Sequence, residues 1–196
     1  AIDGGAVLQQ SLAVTTRHDR VESPRHYPDD DLVEARRVLA WVPPLPGYGL
    51  RAFPLGPRAR GAAPLQPHVP VTAGDRAIEN GLVRLAIDDG GRVRLESRDG
   101  AWTLADLLRF EWCTDLGDLY TASLRGDWAR AEFVRARVTA RGPLRATIEA
   151  RWRARVPAGE ARGSRGAAEG RVDLVARLSL DAESPVVRVA VAGTNR

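Results

Sequence analysis

The chain contains no methionine and no lysine. All 29 basic residues are arginine, which stays protonated at every physiological pH, so the pI of about 10.1 overstates how basic the surface is. The net charge is only +4, and the charges are interspersed rather than blocked. "RVRLESRDG" and "ARAEFVRARVTARG" alternate arginine with apolar residues, which is the outer face of β-strands, not a nucleic-acid stripe. No nucleic-acid partner is expected. Cysteine is nearly absent too. Cys113 alone excludes an internal disulfide framework and a cysteine-based zinc site. Beside Trp112 it reads as a small buried hydrophobe, because a reactive thiol needs an electropositive neighbourhood.

Long apolar runs are missing as well. No eighteen-residue apolar segment exists, so no membrane helix and no membrane partner are expected. The start, "AIDGGAVLQQSLAV", lacks the basic and apolar regions of a signal peptide, and the expected compartment is cytoplasmic. With no initiator methionine, the chain is expected to be a piece of something longer. No Gly-rich phosphate loop, nucleophile elbow or zincin motif occurs. His18, His26 and His68 lie in loops or proline-rich stretches, none at ligand spacing from another. The "DDD" at 29–31 lacks the glycine and distal glutamate of a calcium loop and reads as a solvated turn.

Apolar residues make up 44% of the chain, enough for a real core. Two strands are expected around Leu8 to Thr16 and Leu32 to Val42, with "RHDRVESPRHYPDDD" as the loop between them. The proline density of the next segment forbids a helix or central strand, leaving a linker with a short strand near Tyr48 to Phe53. From residue 73 the pattern becomes strand-like. Val83, Leu85 and Ile87 alternate with Leu82, Arg84 and Ala86, and "DDGG" supplies a tight turn back to Val93 and Leu95. Residues 130–141 and 144–156 alternate likewise, with Leu144, Ala146, Ile148, Ala150 and Trp152 as one apolar face. "PAGEARGSRGAAEG" reads as a long flexible hairpin tip. Two more strands follow, the last ending the chain without a capping partner. The one helix candidate is Leu104 to Leu108. The expected fold is all-β: an antiparallel β-sandwich at 73–196, preceded at 1–72 by a small β segment and proline-rich linker.

One stretch carries candidate chemistry, "FEWCTDLGDLYTAS". Asp115 and Asp118 flank a glycine in a loop. Two carboxylates so spaced suit acid and base work across a glycosidic bond, at separations of ~5–9 Å. The commoner role of such aspartates is to accept backbone N–H groups and fix a turn. Tyr120 at the loop end offers a ring and a hydroxyl, which suit a sugar's apolar face and its hydroxyls.

Four fragments in order resemble one family. "WVPPLPGYGLRAFPL", "AIENGLVRLAIDDGGRVRLESRDG", "FEWCTDLGDLYTAS" and "ESPVVRVAVAGTN" are similar to segments of glycoside hydrolase family 38, the α-mannosidases, over about residues 38–195. Thr121-Ala122-Ser123-Leu124 stands where the family carries a proline. The resemblance implies the end of the family's small middle β-domain at 1–72 and the opening of its large mutarotase-like sandwich at 73–196. It also implies a non-catalytic portion that packs on a catalytic α/β barrel and helps shape the sugar site. The retaining machinery and its zinc belong to that barrel, so no catalytic residue, metal ligand or cofactor is expected in this chain. The implied partners are a mannose-type glycoside and the catalytic domain of the same polypeptide. Tyr120 is the implied substrate contact, on a loop fixed by Asp115 and Asp118. A stand-alone carbohydrate-binding or structural β-sandwich is the alternative. An epimerase on the same fold would need a placed histidine and carboxylate, and all three histidines precede residue 73.

Overall fold

The computed structural model describes every residue except 23, 26, 28, 62, 119, 158–168 and 195–196. The expected hairpin tip of "PAGEARGSRGAAEG" and the polar-loop reading of His26 therefore lie outside the described residues. A short 3₁₀ turn at Asp3–Gly5 leads into β1 (Leu8–Val21), which pairs antiparallel with β2 (Asp29–Trp41) along its whole length. A proline-rich stretch follows. Then come β3 (Thr72–Ala73), β4 (Ala77–Glu79), β5 (Val83–Ile87), β6 (Val93–Ser97) and β7 (Thr103–Leu104), a five-stranded meander. The strands β8 (Glu111–Asp115) and β9 (Leu124–Arg130) form a separate hairpin. A four-stranded meander completes the fold: β10 (Glu132–Ala140), β11 (Arg145–Pro157), β12 (Glu169–Asp181) and β13 (Val187–Gly193).

The two meanders pack face to face, and the reason is period-2 alternation on each. Val83, Leu85 and Ile87 of β5 are buried, as are Val93 and Leu95 opposite them on β6. On the facing sheet Ala146, Ile148, Ala150 and Trp152 of β11 stand beside Leu180, Leu178, Ala176 and Leu174 of β12, on the same side of the pleat. These residues form one continuous apolar cluster. Trp152 sits within it, with the rings of Phe110 and Phe133 edge-on at 5.1 and 5.7 Å. This is the antiparallel sandwich expected from the sequence.

Two polar side chains lock the layers. Asn80, 1% exposed, uses its full amide capacity. Its Nδ2 donates to the carbonyls of Asp181 and Ser184 at 2.7 Å, and its Oδ1 accepts from Leu82 and Val83 N–H at 3.1 and 3.2 Å. Gln10 of β1 joins the ribbon base to β11: its Nε2 donates to the Arg145 carbonyl at 2.6 Å, and its Oε1 accepts from Leu144 and Arg145 N–H. The turn between β5 and β6 needs glycine at position 91. Its φ is +80°, and a Cβ there would overlap the Phe133 ring.

Three sequence expectations are corrected. The segment 17–31, expected as loop, is mostly ribbon: β1 runs on to Val21 and β2 begins at Asp29, because the ladder continues past the apolar residues. The Leu104 to Leu108 segment is not a helix. Asp106 has φ +56°, and the Leu107 N–H donates at 2.8 Å to the Val93 carbonyl, so the backbone is satisfied by β6 and not internally. No strand forms at Tyr48 to Phe53; Tyr48 has φ +58° and Gly49 N–H closes a turn on the Pro46 carbonyl.

At the sheet edge, Val187, Val189 and Val191 of β13 face the core side, opposite Leu180, Leu178 and Ala176. Val189 and Val191 are nevertheless about half exposed, at 47% and 50%. Among the described residues nothing covers them.

Candidate functional site

The hairpin β8–β9 carries "DLGDLY" at its tip. Its register slips between Trp112 and Thr114, where Gly126 in β9 takes φ +75°. Such an irregularity bends a ribbon and re-aims what lies beyond it. Beyond it the loop is built by its own aspartates. Asp115 Oδ1 accepts from the N–H of Gly117 and of Ser123, both at 2.8 Å. Asp118 Oδ1 accepts from Tyr120 N–H at 2.9 Å and Thr121 N–H at 2.7 Å. Backbone bonds from Leu116 to Ser123 and from Asp118 to Thr121 close the two rungs. Glycine at 117 is required by close approach, since a Cβ there would overlap the Thr121 carbonyl and the Ser123 nitrogen.

These bonds decide the chemistry of the two carboxylates. The Gly117 and Ser123 N–H groups hold the Asp115 carboxyl below the usual range, and the Tyr120 and Thr121 N–H groups do the same for Asp118. A general acid needs the opposite shift, so that it keeps a proton near neutral pH. Both aspartates are ionised acceptors committed to the loop. Tyr120 takes no part in that scaffold with its side chain, which is 96% exposed. Leu116, Leu124 and Trp128 are also exposed on this hairpin, so its end is an apolar and aromatic display on a fixed backbone. Beneath it the Trp112 indole N–H is buried without an acceptor among the described residues. Cys113 is free and half-buried.

The other candidates do not converge. Among the described residues no group of three or more His, Cys, Asp or Glu side chains is placed to hold a metal ion. His18 faces Asp30 across the ribbon, Nδ1 to Oδ1 at 3.5 Å, with both side chains exposed. His68 is exposed, and its backbone N–H donates to Glu183. Asp30 and Asp31 are neighbours in β2, so their side chains leave on opposite faces and cannot share a cation. These residues do not fit a catalytic zinc, which needs three converging protein ligands. No helix among the described residues is long and apolar enough to cross a membrane.

Sequence reasoning identified Asp115, Asp118 and Tyr120 but passed over Ser123, whose N–H ties the two sides of the loop together. A backbone donor leaves no trace in residue type. It also passed over the cavity on the outer face of the β10–β12 sheet, assembled from three successive strands by their register.

No protein-family model and no curated protein matches the chain. Solved structures do match it. An alpha-mannosidase from Enterococcus faecalis V583 superposes with TM-score 0.61 at 12% identity, over 90% of this chain and 22% of that one. A protein in glycosyl hydrolase family 38 from Enterococcus faecalis gives TM-score 0.59 at 14% identity, over 91% of this chain and 23% of that one. At such identities the likeness is one of fold. The chain spans less than a quarter of the length of either, and its β-sheets have the architecture of part of those larger chains.

Proposed function

We propose that this chain is a non-catalytic β-sandwich portion of an α-mannosidase-type glycoside hydrolase. In this reading residues 1–72 end a small middle β-domain and residues 73–196 open the large sandwich. The sandwich packs on the catalytic domain and brings the β8–β9 tip to the rim of the sugar site. The observation that carries the reading is the tip itself: both aspartates are consumed in holding the backbone, and the tyrosine they present is free. Tyr120 then stacks on the apolar face of a mannose-type ring or hydrogen-bonds its hydroxyls, while the zinc and the retaining nucleophile belong to the catalytic domain. The fold likeness to two chains of that family supports this assignment.

The test has two arms. The chain alone should leave an aryl α-mannoside intact with or without added zinc; turnover would remove the non-catalytic claim. In the full-length enzyme Tyr120→Ala should lower kcat/KM about 5–20-fold with the fold intact. An unchanged kcat/KM would take Tyr120 out of the site.

A further inference from the structure

A second feature stands apart from the sugar-site reading and does not depend on it. On the outer face of the four-stranded sheet, β10, β11 and β12 border an open cavity of about 270 Å³. Arg135, Arg151, Arg153 and Arg171 line it, with Asp173 as the lone carboxylate among the described lining residues. The register explains the gathering. Arg135 stands opposite Arg151, and Arg153 opposite Asp173, while the slip between Phe133 and Arg135 pushes Val134 out of the pleat and opens the surface. Val134 and Val175 give the cavity an apolar floor. Trp152 borders it from the core side but is only 4% exposed, so its ring is not available for stacking.

The four guanidinium groups are far from saturated. Among the described residues Arg153 gives one bond to Asp173, at 3.0 Å, and Arg171 gives two, at 3.1 and 2.9 Å. Arg151 turns to Glu149 with two bonds, at 3.2 and 2.8 Å. Arg135 makes no hydrogen bond or ion pair among the described residues. Each guanidinium carries five N–H donors in a planar fork that matches a tetrahedral oxyanion two oxygens at a time. Asp173 and Glu149 do not balance the four cations, because Glu149 is also shared with Arg137 and Arg177, and the excess positive charge gathers at a concave site. Without an exposed aromatic ring the site lacks the stacking platform that nucleobases use. Its volume is just below the range of drug-sized clefts, about 300–1,000 Å³, and suits a small ion.

We propose that this cavity binds a doubly charged tetrahedral oxyanion, phosphate or sulfate, free or as an ester on a sugar. Arg135 supplies the uncommitted fork, and Arg171 and Arg153, already oriented by Asp173, supply the opposite wall.

The experiment uses the whole chain, titrated with inorganic phosphate, inorganic sulfate and a hexose 6-phosphate, at ionic strength held constant with sodium chloride. Calorimetric binding and Tm are the readouts. Saturable binding is expected, with Tm raised by about 3–6 °C at tenfold excess over Kd. Arg135→Gln should weaken Kd at least tenfold, while Arg37→Gln, the same charge change on the distant ribbon, leaves Kd unchanged. Tighter binding of the hexose phosphate assigns the ester; equal binding assigns the free ion. The proposal is overturned if chloride alone gives the same Tm rise, if Arg135→Gln binds like the parent chain, or if Arg37→Gln loses as much affinity.

Discussion

The hairpins β5–β6 and β8–β9 are built alike and placed differently. Both are short antiparallel pairs closed by an aspartate and a glycine. In β5–β6 every second residue is buried against the opposite sheet, and the turn is pinned under Phe133. In β8–β9 no residue is fully buried, and the end of the hairpin displays Tyr120, Leu124 and Trp128. Cross-strand hydrogen bonds shape both, but a hairpin alone is marginally stable in water. Apolar burial supplies the stability of the first. The second borrows its anchorage from the sandwich and keeps its side chains free for contact. Regions of few buried contacts are where binding elements are usually found.

The sharpest way to break the comparison is to damage the buried half. Leu178 is fully buried between the sheets, and Leu178→Ala should lower unfolding free energy by about 2–5 kcal/mol in urea titration. A loss under about 1 kcal/mol would mean that the sandwich is not the stabilising unit.

A middle-sized effect comes from acid. Arg145, with Arg188 beside it, holds the Asp181 carboxyl below its usual range, and Arg151 does the same for Glu149. A carboxylate whose folded pKa is depressed adds stability above its unfolded pKa, about 4, and that stability is lost as pH falls through the lower folded value. The urea midpoint should therefore hold from pH 7 to about 5 and decline below about 4. Asp181→Asn should cost about 1–2 kcal/mol at pH 7 and shorten the acid decline, given that the carboxylate is partly exposed. An acid decline of equal size in the variant would assign it to other groups.

The smallest global effect and the largest local one belong to Gly117→Ala. The urea midpoint should move by no more than the equivalent of about 0.5 kcal/mol, because none of the loop's described residues is buried. Amide exchange at Gly117, Tyr120, Thr121 and Ser123 should accelerate about tenfold or more as the rungs open. Unchanged exchange would show that the loop does not depend on that close approach.

Much of the sandwich was legible because it obeys a two-residue period. The alternation of Val83, Leu85 and Ile87, and of Ala146, Ile148, Ala150 and Trp152, names the buried face before any partner is known. The ribbon was legible only in part. Its outer half has no apolar period, and its strands continue into "RHDRV" and "DDD" because a ladder once started pairs its neighbours. The Leu104 to Leu108 segment misled because its three leucines suit a helix or a strand edge equally, and the carbonyl of Val93 decided between them. At the candidate site, the turn-forming role of Asp115 and Asp118 was readable from spacing, whereas the Ser123 N–H was not.

The sequence by itself determined which residues alternate, where glycine and aspartate break the chain, and that Tyr120 ends an aspartate-braced loop. Those are local properties, carried by φ preferences and by hydrogen bonds between near neighbours. Only the tertiary structure decided that Arg135, Arg151, Arg153 and Arg171 share one cavity. Their meeting depends on register across three strands and on a bulge at Val134, and register is set by packing against the opposite sheet, not by any stretch of residues read alone.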